Sequence, residues 1–83
     1  MTEYLLSFEK ESDDEILIHG DEKGLLYLQG AIEKLIKNTK EGHFEHEHLM
    51  TPDWGGYELS SKGKGGDKIH HVKLYCWKGK QPQ

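Results

Sequence analysis

Two neighbouring stretches decide the fold. They are Asp21-Glu22-Lys23-Gly24-Leu25-Leu26-Tyr27-Leu28-Gln29-Gly30-Ala31-Ile32-Glu33-Lys34-Leu35-Ile36-Lys37-Asn38 and, beginning at Gly42, Gly42-His43-Phe44-Glu45-His46-Glu47-His48-Leu49-Met50. In the first, Leu25, Leu28, Ile32 and Leu35 recur at helical spacing, flanked by Ala31 and Ile36. Asp21 is placed to cap the helix, and Glu22 puts negative charge where the dipole favours it. Lys34, Lys37 and Lys40 gather towards the other end, and Gly42 is a natural terminator. The spacing predicts one helix over 22–39. The second stretch alternates with period two. Phe44, His46, His48 and Met50 share one face, and His43, Glu45, Glu47 and Leu49 the other.

Working outward, residues 3–8 and 15–19 alternate as strands, and the charged run 9–14 between them reads as the loop of a β-hairpin. Thr51-Pro52-Asp53 is a turn, and Gly55-Gly56 interrupts pairing. Residues 57–60 are expected as a short strand and 61–67 as a flexible hairpin loop. Residues 68–77 are expected as the last strand. The order is β-β-α-β-β-β. With one helix and no βαβ repeat, the expected fold is α+β: two layers, one helix on one face of a single, mainly antiparallel sheet. Residues 1–78 are expected to form the domain and 79–83 a frayed tail. Ile16, Ile18, Phe44, Val72, Leu74 and Cys76 are expected beneath the helix. His71, Lys73, Tyr75 and Trp77 are expected on the open face, which could serve binding or homodimerisation.

Composition limits the function. Leu, Ile, Val and Phe make up 18 of 83 residues, just above the roughly 20% at which disorder becomes the default. The core must therefore be thin. No apolar run is long enough for a membrane span, and the acidic start Met1-Thr2-Glu3 does not suit a signal peptide. A single cysteine, Cys76, excludes an internal disulfide framework. Cytoplasmic residence is expected. The net charge is −4 and every basic residue is lysine, so a direct nucleic-acid contact is not expected. Residues 1–50 hold 5 lysines against 12 acids, and residues 51–83 hold 6 against 3. Such an acidic half suits a basic partner, and it equally serves solubility.

Six histidines are present. His46 and His48 stand about 7 Å apart on one strand face. With a third ligand from a neighbouring strand, His71 or His70, they could chelate zinc, copper or nickel. The alternative is packing, because the register places both among core-facing residues. Glu45 and Glu47 face away from these rings, and no nucleophile, phosphate-loop or dinucleotide motif is present. Neither catalysis nor a cofactor is expected. Binding remains, through the acidic residues Glu11, Asp13 and Asp14, through Leu26 on the outward helix face beside Gly30, and through Trp54 and Tyr57. Gly30 is either simply tolerated or leaves room for another chain. Trp54 either closes one end of the core or anchors a partner.

The helix followed by Gly42-His43-Phe44-Glu45-His46-Glu47-His48-Leu49, with Trp54-Gly55-Gly56-Tyr57-Glu58-Leu59-Ser60 beyond it, resembles the immunity protein 32 family of bacterial polymorphic toxin systems. The resemblance covers about residues 15–60, and within it His46 and His48 are motif positions to which it attaches no known catalytic role. It implies a small α+β protein, encoded beside a toxin, that binds and blocks that toxin in the cytoplasm. A basic nuclease is the toxin class that would match the acidic half. The readings that stand beside it are a histidine-based metal-binding protein and a dimerising structural module.

Overall fold

The computed structural model describes residues 3–61 and 66–79. The expected loop positions Lys62 to Gly65 and the tail positions Lys80 to Gln83 lie outside the described residues. The chain forms β1 (Leu6–Ser12), β2 (Glu15–Gly20), α1 (Glu22–Asn38), β3 (Phe44–Met50), a 3₁₀ turn (Pro52–Trp54), β4 (Asp67–Ile69) and β5 (His71–Trp77). The class is α+β. The strands form two antiparallel sheets, β2-β1-β4 and β3-β5.

His70 divides what the sequence presents as one last strand. Its carbonyl accepts the Thr51 amide at 3.0 Å, and its Nδ1 lies 2.8 Å from Thr51 Oγ1. There the chain leaves β1 and joins β3. The gap it leaves beside β1 is filled by Ser60, whose amide donates to the Leu6 carbonyl at 2.9 Å. The Leu6 amide donates to Ser60 Oγ at 3.2 Å. One residue earlier, Leu59 donates to Met50 at 3.1 Å. The expected strand at 57–60 is thus an irregular bridge between the two sheets rather than a member of either ladder. Gly56 sets up the approach, since a Cβ there would lie 2.6 Å from the Met50 carbonyl oxygen.

The core centres on Leu6, Phe8, Leu49 and Leu59, with Tyr4, Tyr27, Leu28, Ile69, Val72 and Leu74 packed around them. Asp21 caps α1 as its position suggests, accepting the Gly24 amide at 2.7 Å. Thr39, rather than Gly42, closes the other end, with its amide and its hydroxyl both donating to the Leu35 carbonyl. Only Gly24 and Leu35 are fully buried on the helix. Leu25, Ile32 and Ile36 are about half exposed, so the buried stripe is turned towards Tyr27 and Leu28. Leu26 and Gly30 are exposed, though they flank a cleft shared with Glu47 of β3 rather than pointing away from the sheets.

Three further expectations are corrected. The hairpin loop is short, because β1 continues to Ser12 and only Asp13 and Asp14 turn. Glu9, expected in that loop, is buried in the central strand, where its Oε1 accepts the Gly66 amide at 3.3 Å. His19 Nε2 stands 3.5 Å away from the same oxygen. Ile16 and Ile18 lie on the Phe8 side of their sheet, as the Phe8–Ile18 pairing requires, yet the helix leaves both about half exposed. Finally, β3 is inverted relative to the expected phase. Leu49 is buried and Phe44 is half exposed.

Candidate functional site

The pairing of β3 with β5 builds the most distinctive surface. Phe44 opposes Trp77, His46 opposes Tyr75, His48 opposes Lys73 and Met50 opposes His71. Paired residues of an antiparallel ladder project to the same side, so these groups share one face. Glu45, Glu47 and Leu49 pair with Cys76, Leu74 and Val72 on the other, towards α1. Phe44, His46 and His48 are therefore outside rather than in the core. Helix and β3 do not close tightly over the carboxylates. Glu47 lines a cleft of about 300 Å³ with Leu26, Tyr27, Gly30, Ala31 and Lys34.

On the open face the rings run in unbroken succession. Trp77 stacks on Phe44 with centroids 4.5 Å apart, and Phe44 meets Tyr75 at 6.2 Å. Tyr75 stacks on His46 at 5.2 Å. His46 meets His48 edge-on at 4.8 Å, and His48 stacks on His71 at 5.0 Å. The 3₁₀ turn after β3 then carries Trp54 to the end of the row, 6.3 Å from His71 and parallel to His70 at 5.8 Å. Trp54 is 59% exposed, so it does not seal the core. It extends the face.

His46, His48 and His71, singled out from the sequence, do come together. His46 Nε2 is 3.1 Å from His48 Nε2, and His48 Nδ1 is 2.8 Å from His71 Nε2. His48 thus engages its neighbours through opposite edges of its ring. A neutral His48 donates through one nitrogen and accepts through the other, which gives a directional row of imidazoles rather than three nitrogens aimed at one point. Among the described residues, no three histidine, cysteine or acidic side chains are arranged to hold a metal ion. The pKa of His48 is pulled below its ordinary value. Loss of hydration among its neighbours contributes most, followed by the positive potential of His46, His71 and Lys73, with Glu47 opposing.

The other proposed contact residues are dispersed. Glu11, Asp13 and Asp14 are exposed where β1 turns into β2, and Asp13 pairs locally with Lys10 at 3.3 Å. Leu26 is on the helix side of the molecule, in the cleft described above. Tyr57 is 70% exposed beyond the 3₁₀ turn. Tyr75 and Trp77 stand on the open face as expected, whereas Phe44 was expected beneath the helix. The signal for Phe44 was Leu49, the one fully buried apolar residue of β3, which fixes the phase of every other residue in that strand.

In form, then, the chain is a small α+β domain presenting a solvent-facing row of aromatic and imidazole rings. The family model for immunity protein 32 matches residues 15–73, and the chain belongs to that family. Membership points to an immunity role, with a toxin as partner. The match begins at β2 and ends within β5, so it takes in most of the ring-bearing face. No curated protein and no solved structure matches the chain. No helix among the described residues is long and apolar enough to cross a membrane.

Proposed function

We propose that this protein neutralises a cognate toxin in the cytoplasm by direct, non-catalytic binding, and that the ring-lined face of β3 and β5 is the surface that does so. The observation that carries this reading is the exposure of so many rings in one row, since tryptophan and tyrosine are the side chains most often found as energetic anchors in interfaces. A row of that kind offers large, rigid contact area at small entropic cost. The face itself carries Lys73 and the imidazoles, while Glu45 and Glu47 project to the other side. The acids that would steer a basic toxin, such as a nuclease, therefore lie elsewhere, around Glu11, Asp13 and Asp14. They would accelerate encounter, and the rings would slow departure.

The test pairs the protein with the toxin domain encoded beside it. Co-purification of the two, and survival of toxin-expressing cells only when this protein is present, is the expected outcome. Failure to bind any neighbouring gene product would sink the proposal. Binding that persists unchanged in a Trp54→Ala/Trp77→Ala variant would move the contact to another surface.

A further inference from the structure

β2 is an edge strand, hydrogen-bonded to β1 on one side only among the described residues. The phase of that pairing can be read from one bond. Leu6 opposes Gly20, and the Asp21 amide donates to the Leu5 carbonyl at 3.1 Å. In an antiparallel ladder this makes Leu6 and Gly20 a non-hydrogen-bonded pair. The backbone groups of the odd-numbered residues of β2 therefore point to β1, and those of Ile16, Ile18 and Gly20 point outward.

Edge strands are usually blunted by lysine, proline, a bulge or brevity. Residues 15–20 contain no lysine and no proline, and the register is regular from Leu6–Gly20 to Lys10–Ile16. Instead the edge presents Ile16 and Ile18, both about half exposed, with Leu25 about half exposed beside them. Leu25 rests over Gly20, where an added Cβ would lie 2.8 Å from its Cδ2. By contrast the middle of the β3 edge, from Glu45 to His48, holds only acids and histidines, and so carries its own protection.

We propose that β2 is the interface of a symmetric homodimer, two copies pairing antiparallel about Leu17. The sequence Glu15-Ile16-Leu17-Ile18-His19 is complementary to its own reverse. A two-fold axis through Leu17 brings Ile16 against Ile18 of the second copy, twice, on the helix side. It brings Glu15 opposite His19 of the second copy, twice, on the other side, so no acid is set against an acid, while His19 Nε2 stays with Glu9 of its own chain. The outward backbone groups of Ile16 and Ile18 then complete narrow pairs across the axis, and Leu17 meets its own copy in the closer, non-hydrogen-bonded pairing. A one-residue slip would set the outward backbone groups of Ile16 and Ile18 against residues whose groups point to β1, and a two-residue slip about Ile18 would set Ile16 against Gly20, so pairing about Leu17 is the register that matches both isoleucines. The two three-stranded sheets become one of six strands. The ring-lined face belongs to β3 and β5 and stays free, so the dimer and the proposed toxin contact do not compete.

A strand-edge contact of this length buries less than the roughly 1,200 Å² typical of stable complexes, so a dissociation constant on the order of micromolar is expected. Sedimentation velocity on the full chain without toxin, from about 1 to about 500 µM to bracket that constant, should show twice the monomer mass appearing with concentration. Ile16→Lys/Ile18→Lys opposes lysines across the axis at half-exposed positions, and should stay monomeric throughout with an unchanged circular dichroism spectrum. As a second readout, Leu17→Cys in a Cys76→Ser background should form a disulfide-linked dimer on mild oxidation. The Cα separation of such a pair, about 4.5 Å, falls within the range that a disulfide spans. Glu33→Cys in the same background should not. A monomeric mass at every concentration, or a dimer that survives the double lysine change without cross-linking through position 17, would overturn the proposal.

Discussion

A methyl group added at Gly24 would overlap the Leu5 carbonyl oxygen, whereas one added at Gly30 would meet nothing within 4 Å. The two glycines sit on one helix and have the same intrinsic cost of about 1 kcal/mol relative to alanine. Gly30→Ala is therefore expected to raise stability by about that amount. Gly24→Ala is expected to lower it in spite of the better helix former, because the first turn would have to lift off the Leu5 backbone just before β1. Thermal melting of the pair measures both signs. His48 makes a second prediction at this scale. Its lowered pKa means that the folded chain favours the neutral ring, so the unfolded chain binds a proton more readily. Stability from this site is complete above the ordinary histidine value of 6.5 and declines as pH falls from there towards the lowered value of the fold. Melting at pH 8 and pH 5 should differ, and His48→Gln should narrow that difference.

For a whole element, β3 is the informative case. Its alternation was legible, but its phase was not. Phe44 is the bulkiest apolar group in the strand and draws the reading towards itself. That orientation leaves carboxylates outside, where isolated charges normally belong. The fold does the reverse because α1 covers only part of β3. Glu45 and Glu47 reach the solvated rim between helix and strand, and only Leu49 enters the core. Leu49→Ala should cost about 2–5 kcal/mol. Phe44→Ala, at a half-exposed ring, should cost much less, and denaturant melts of the two variants check the inversion. The helix was more legible, because Asp21 and the apolar spacing are local signals. The detour of Ser60 to Leu6 had no local signal at all, since the two residues lie 54 positions apart. The same is true of the break at His70, which depends on Thr51. Of the candidate site, the nearness of His46 to His48 was legible from strand parity, whereas the expected phase set His71 on the opposite face. The placement of that pair on the open face was not legible, since it depended on the phase that Leu49 sets.

Across the whole molecule, charge and ring surfaces occupy different places, and their contributions to toxin binding should separate accordingly. Trp54→Ala or Trp77→Ala should each weaken binding by about tenfold or more, through faster dissociation. Asp13→Lys/Asp14→Lys should mainly slow association and flatten its dependence on salt. Stopped-flow mixing and surface-immobilised kinetics distinguish the two effects. The position of β1 has a different kind of consequence. This strand precedes the other described strands in chain order, yet it lies in the middle of its sheet, with Phe8 facing Ile69 on β4 and Leu6 held by Ser60. A nascent chain emerging from the ribosome can form the β1–β2 hairpin early, but it cannot close the core until nearly the last strand has been delivered. Folding of this domain is thereby deferred until β4 and β5 have been made, because its core is closed by contacts far apart in the sequence.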